Sequence, residues 1–216
     1  MTRALAPLVV MFALAGCGGS SDDEAAAPTA GSGTCQTVDV PAPRADGGGT
    51  KPTEPLAAGV TYRLVFSTNC GDFTVTLDPK VAPKTSASLV GLAQDGFYDG
   101  TIIHRIVPGF VIQGGDPTGT GTGGPGYQTI DVPPADARYT HGVVAMAKSG
   151  ADPPGAAGSQ FFVITGADVG LPAEYAIVGE VTDGLEVVDV IGALGDPATE
   201  QPTEPVVLAS VTVSEG

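Results

Sequence analysis

Ile103-His104-Arg105-Ile106-Val107-Pro108-Gly109-Phe110-Val111-Ile112-Gln113-Gly114-Gly115-Asp116 is the stretch on which the reading of the chain turns. Its β-branched and aromatic residues predict two strands, 101–107 and 110–113. Pro108-Gly109 between them predicts a turn. The strands carry a cation (Arg105), an aromatic ring (Phe110) and a primary amide (Gln113). An arginine in so apolar a run either snorkels to solvent or points into a polar site. Taken alone, Arg105 reads as a strand arginine paired with a surface carboxylate.

Outward from this stretch, bulk composition narrows the choices. The 216 residues suffice for one good-sized domain plus extensions. With 32 Gly, 19 Pro and no Trp, the chain reads as a loop-rich β protein or a domain with a flexible arm. A net charge of −15 excludes nucleic acid as a partner, because phosphates need a basic surface. Such charge suits an extracytoplasmic protein but selects no function.

The N-terminus reads as a secretion signal, residues 1–16. Arg3 supplies its positive start, and Leu5 to Leu14 an apolar run too short to span a bilayer. Leu14-Ala15-Gly16-Cys17 looks like a bacterial lipobox. It implies lipid on the Cys17 sulfur, cleavage before Cys17 and acylation of the new amine. Each buried CH₂ contributes about 0.8 kcal/mol, so several chains would hold the protein on the cell membrane. The other reading is an ordinary signal with a chance cysteine. Residues 17–57 are expected to be a spacer, since Gly, Ser, Ala, Pro and acids cannot bury enough apolar surface to fold. The folded domain is expected over 58–216. With Cys17 lipidated, Cys35 and Cys70 form an even pair outside the cytoplasm. A disulfide is the expected outcome and two unrelated thiols the alternative. His104 and His141 are the only histidines, and neither has a partner at metal-ligand spacing, so no metal and no cofactor are expected.

Within the domain, 60–67 and 73–77 read as a hairpin around Asn69–Gly71; Phe73, Val75 and Leu77 alternate with threonines. A helix is expected over 83–94, with Pro83 in its first turn and Gly96 ending it. Gly114 to Tyr127 reads as a glycine-threonine loop. It lacks the Gly-Lys-Ser/Thr ending of a phosphate cradle. Further strands are expected over 141–148, 160–165, 176–181 and 206–213, and a second helix over 184–193, with Asp183 and Glu186 as a capping box. Many short strands with two separated helices predict a closed antiparallel barrel, which would leave no free sheet edge.

The quoted stretch resembles the signature of the cyclophilins, the cyclosporin-binding peptidyl-prolyl isomerases: Phe-His-Arg-Ile-(apolar)-Pro-(x)-Phe-(apolar)-(x)-Gln-Gly-Gly-Asp, with only the leading Phe changed, to Ile103. The likeness extends through Gly96–Thr101, the run Gly119–Gly124, Gly142–Ala147 and Gly158–Phe162, and covers about Val60 to Val213. It implies a mainly β fold, an eight-stranded barrel with a helix covering each end. It also implies acceleration of X-Pro rotation in client proteins.

That reaction sets modest demands. The peptide barrier is about 18–20 kcal/mol, and before proline the two isomers are nearly balanced but exchange slowly. In the twisted state the prolyl nitrogen regains its lone pair. A donor aimed there stabilises the transition state more than the ground state. A gain of about 10⁵ takes only about 7 kcal/mol. By resemblance, Arg105 is that donor. Phe110, Val111, Phe162 and Leu171 form the proline pocket. Gln113 bonds substrate backbone, and Gln160 helps hold the arginine side. The backbone of Ala147, Lys148 and Ser149 meets the peptide before proline. Tyr175 takes the place of a pocket histidine. Gly170 stands where many eukaryotic members have a cyclosporin-binding tryptophan, so weak cyclosporin binding is expected. Partners are therefore proline-containing segments, and a monomer is expected.

His104 is expected to face away from Arg105, because strand neighbours alternate, and to serve packing or hydrogen bonding. His141 reads as structural. Ser149 and Ser159 lack partners for a hydrolase triad. The competing reading is a binding module, a cyclophilin barrel that grips proline loops with little turnover.

Overall fold

Apolar side chains two residues apart set the first hairpin. β1 (Tyr62–Thr68) buries Tyr62, Leu64 and Phe66, and β2 (Gly71–Leu77) buries Phe73, Val75 and Leu77. Phe66 lies opposite Phe73, with ring centroids 4.7 Å apart. The computed structural model describes residues 1–2 and 34–216. The signal segment, Cys17 and the first part of the spacer thus lie outside the described residues.

α1 (Pro83–Gln94) has Pro83 in its first turn and no side-chain cap of its own. A distant residue supplies one: the Asp131 carboxylate accepts from Thr85 N at 2.7 Å and from Thr85 Oγ1 at 2.7 Å. Carboxylates are favoured at this end of a helix. The chain continues through β3 (Ile102–Val107), β4 (Val111–Asp116), β5 (Thr129–Ile130), β6 (Val143–Met146), β7 (Ala156–Ala157), β8 (Phe161–Ile164), β9 (Ile177–Asp183), α2 (Leu185–Gly192) and β10 (Leu208–Glu215). β5 and β7 form a small separate sheet, not expected from sequence.

β4 runs through Gly114 and Gly115, residues expected in the following loop. Neighbouring chain crowds both positions, and Gly115, at φ +84°, stands where only glycine fits. A Cβ at Gly114 would lie 2.7 Å from Ile103 Cδ1, and one at Gly115 2.6 Å from Ser159 O. The expected capping box of α2 does not form. Gly184, at φ +71°, carries β9 straight into the helix with no side-chain cap. A Cβ there would sit 2.3 Å from Asp72 O.

The main sheet has eight strands in the order β10-β1-β2-β9-β6-β8-β4-β3. It curls around a core that includes Leu64, Phe73, Ile106, Ile112, Met146 and Val163, and the two helices pack on it. It is a half-barrel and does not close as expected. The outer strands meet at a single bridge, Ile102 to Val207, supported by Ile103 N to Val206 O at 3.0 Å. Beyond that point the edge of β3 faces the segment 200–205, where Pro202 and Pro205 lack the N–H a ladder needs. One backbone hydrogen bond, Ile106 N to Glu200 O at 2.9 Å, continues the contact.

From Cys35 onward the segment expected to be a flexible spacer, tied at Cys35, is docked on the domain along more of its length. Cys35 and Cys70 are joined by a disulfide. Gly47 N donates to Gly124 O and Gly49 N to Pro125 O. The Arg44 guanidinium lies over the Phe97 ring. Composition rightly denies this strap a core of its own. It is held by backbone donors meeting the carbonyls of a glycine loop, a pairing that hydropathy does not register. Among the described residues, no helix is long and apolar enough to cross a membrane.

Candidate active site

Strand register builds the site. Arg105 of β3 is paired with Gln113 of β4, Gln113 with Phe162 of β8, and Phe162 with Ala145 of β6. Paired residues share a face, so these four form one row on the outside of the curl. The adjacent row, Ile106, Ile112, Val163 and Val144, faces the core. Ile103 and Ile106 are three apart, yet both are fully buried, because the ladder slips between Ile103 and Arg105. The additional residue is His104, and such bulges re-aim side chains.

The bulge interrupts the strand's simple alternation at His104, and the packing role expected for this residue holds. Its ring packs beneath the glycine loop, where a Cβ on Gly121 would lie 3.5 Å from His104 Nε2. Both ring nitrogens are buried without a hydrogen bond, so the residue packs but does not bond. Burial pushes its pKa below the usual histidine value, against the pull of Asp116 and with a smaller push from Arg105.

The outer face carries its own apolar cluster. Val111, Tyr139, Ala145, Phe162 and Ile164 are buried in it, and Phe110, Leu171 and Tyr175 pack against them. This is why all of β8 is buried: Phe161 and Val163 serve the core, Phe162 and Ile164 the outer cluster. The cluster leaves a pocket of about 150 Å³ floored by Phe110, Val111, Phe162 and Leu171. Arg105 and Gln113 line one side, and Ala147, Lys148 and Tyr175 complete it. An apolar cavity of about that size takes one small ring. Tyr175 is set edge-on to Phe162 at 5.5 Å and is fixed through Tyr139, whose hydroxyl donates to Tyr175 O at 2.8 Å. The Lys148 ammonium lies over the Tyr175 ring and 3.3 Å from Glu174 Oε2.

A chain of amides orients the cation. Arg105 Nη1 donates to Gln113 Oε1 at 3.2 Å. Gln113 Nε2 donates to Gln160 Oε1 at 3.0 Å. Gln160 Nε2 donates to Gly123 O at 2.8 Å. On its other side Arg105 Nε donates to Glu200 Oε2 at 2.7 Å. Gln160 thus reaches the arginine only through Gln113. Gln160 and Ser149 line an adjoining cavity of about 600 Å³, which shares Gln113, Ala147 and Lys148 with the smaller pocket.

The glycine loop that ends this chain hangs on Asp116. Its carboxylate accepts from Thr118 N, Gly121 N and Gly123 N at 2.8, 2.6 and 3.2 Å. Burial raises its pKa, but the bonds from Thr118, Gly123 and Gly121 outweigh that and leave it below the usual aspartate value. A Cβ at Gly123 would lie 2.4 Å from Asp116 Oδ1. Sequence reasoning assigned no role to Asp116, Tyr139 or Glu200. Asp116 could have been found, since it closes the stretch that carries Arg105. Glu200 lies 95 residues from Arg105 and gives no local signal.

A family model described as cyclophilin type peptidyl-prolyl cis-trans isomerase/CLD matches residues 63–213. This chain is a cyclophilin. The probable peptidyl-prolyl cis-trans isomerase A of Mycobacterium leprae is 43% identical to it over 180 residues, covering 75% of this chain and 96% of that one. The peptidyl-prolyl cis-trans isomerase B of Streptomyces anulatus is 42% identical over 167 residues, covering 68% of this chain and 94% of that one. Among solved structures, a cyclophilin type isomerase of Cryptosporidium parvum superposes with a TM-score of 0.66 at 31% identity, covering 72% of this cyclophilin and 99% of that chain. The same protein in the presence of the dipeptide Ala-Pro gives 0.65 at 30% identity, covering 71% and 99%. The strap that precedes residue 63 lies outside the family match.

Proposed function

We propose that this cyclophilin, a peptidyl-prolyl cis-trans isomerase, rotates X-Pro bonds by seating the proline ring against Phe110, Val111, Phe162 and Leu171 and presenting Arg105 to the prolyl nitrogen. The observation that carries the reading is one guanidinium at the rim of an apolar pocket of about 150 Å³, held by amide and carboxylate partners that leave donors over. In the planar imide the nitrogen lone pair is delocalised and accepts poorly. As the bond twists the lone pair localises, and an arginine N–H bonds it more strongly than in the ground state. No proton is transferred and no covalent intermediate forms. Gln113 serves substrate backbone as well as Arg105, and the backbone of Ala147, Lys148 and Ser149 aligns the residues before proline beside the larger cavity.

The clients, in this reading, are secreted or envelope proteins, and the enzyme works outside the cytoplasm on a lipid anchor at Cys17. The signal-like run ending in Leu14-Ala15-Gly16-Cys17 supports this, and the Cys35–Cys70 bridge suits an oxidising compartment. Intact mass of protein extracted from membranes tests it: a diacylglycerol and acyl increment on a chain starting at Cys17 is expected, and an unmodified Cys17 would overturn it. Cyclosporin should bind weakly, since Gly170 offers no ring where a donor would stand. Two-dimensional exchange spectroscopy on a short X-Pro peptide tests the catalytic reading. Cross-peaks between isomers at substoichiometric protein are expected; shifted peaks without exchange would make it a binding module.

A further inference from the structure

Glu200 is the one non-glycine residue with positive φ among the described residues, at +59°. A long side chain rarely adopts this left-handed conformation, and it persists only where the surroundings over-determine it. The surroundings here do so. Glu200 N donates to Asp196 O at 2.8 Å, and Ile106 N to Glu200 O at 2.9 Å. The Asp196 carboxylate accepts from Ala198 N at 2.7 Å. Gly195 sits where a Cβ would lie 2.7 Å from Ile106 O. The loop is thereby pinned to the free edge of β3, one residue from Arg105. The outcome of the strained turn is a carboxylate oxygen 2.7 Å from Arg105 Nε.

We propose that Glu200 is a positioning residue for Arg105. This rests on the assignment of Arg105 as the group that meets the prolyl nitrogen. A guanidinium has five N–H donors in a rigid plane. Glu200 takes the one on Nε and Gln113 takes one of the two on Nη1. Two anchors on different nitrogens fix both the rotation and the tilt of the plane. The three donors left over, one on Nη1 and two on Nη2, form the outer end of the fork that meets substrate. Without Glu200 the guanidinium pivots about the single Gln113 bond. The proline pocket does not change, so the loss falls on the chemical step and spares binding.

Glu200→Gly separates this role from a structural one, because glycine relieves the left-handed backbone while removing the carboxylate. Its melting temperature should equal or exceed that of the parent. Its kcat should fall by about tenfold, the size of one lost charge-assisted hydrogen bond, with KM little changed. Glu200→Gln, which keeps an acceptor, should recover part of kcat. The Arg105 Nε–H NMR resonance should shift and exchange faster with water in Glu200→Gly. Unchanged kcat and an unchanged resonance in Glu200→Gly, beside an inactive Arg105→Ala, overturn the role of Glu200 and leave that of Arg105 intact. An active Arg105→Ala removes the assignment of Arg105 and this inference with it.

Discussion

Arg105 and Gln113 are paired twice: as direct partners across β3 and β4, and through a hydrogen bond from Arg105 Nη1 to Gln113 Oε1. The sheet therefore places the donor and the bond aims it. Gln113→Ala removes the aim without disturbing the ladder. It should lower kcat/KM by about 10- to 100-fold at unchanged thermal stability, as read in a protease-coupled assay and by calorimetry. Activity within a factor of about two would show that Arg105 orients itself.

Asp116 holds the glycine loop, and through Gly123 O it holds Gln160. Asp116→Ala leaves three loop N–H groups without their acceptor. It should cost about 3 kcal/mol of stability, read as a lower denaturant midpoint, and should loosen the loop amides in hydrogen exchange. An unshifted midpoint would contradict the assignment.

His104 makes stability pH-dependent. Its folded pKa is below the ordinary 6.5, chiefly through burial, so the unfolded chain takes up the proton first as pH falls. Where the unfolded state binds more protons, stability rises with pH. The histidine therefore costs nothing above about pH 6.5 and a growing amount below it, until the folded ring protonates. His104→Leu should flatten the slope of melting temperature between about pH 5 and 7. The carboxylate of Asp116, whose folded pKa is lowered, adds stability that is lost only in stronger acid, as pH falls through its folded value.

The disulfide closes a sequence separation of 35 residues. By loop-closure entropy it should contribute about 2–4 kcal/mol. Reduction, or Cys35→Ser with Cys70→Ser, should lower the melting temperature and raise proteolysis within 36–57, since the strap then keeps only non-covalent contacts, among them the hydrogen bonds to the loop 117–125 and the Arg44–Phe97 stacking. Equal stability of oxidised and reduced protein would sink this estimate.

Features carried by local signals are legible in the sequence itself. Pro83 and Gly96 bracket α1, and the helix spans the expected residues. The alternation of Phe73, Val75 and Leu77 located β2. The row of Arg105, Gln113 and Phe162 rests on motif runs in three strands, and their pairing brings them together. What escaped depends on contacts distant in sequence. The bulge at His104 follows from Ile103 and Ile106 both reaching the core, which no alternation rule anticipates. The open edge of β3 follows from prolines on the segment opposite it. The docked strap and the Asp131 cap need partners across the fold. Glu200 shows how two readings of one residue can both apply: Arg105 pairs with a surface carboxylate, and it lines an apolar pocket.

The role of Arg105 is tested most directly by kcat/KM of Arg105→Ala on an X-Pro peptide, alongside the dispersion of its amide spectrum. Loss of most activity in a protein whose spectrum stays folded is expected. Full activity in that variant would contradict the assignment, and leave this pocket as a place where proline is held and not turned.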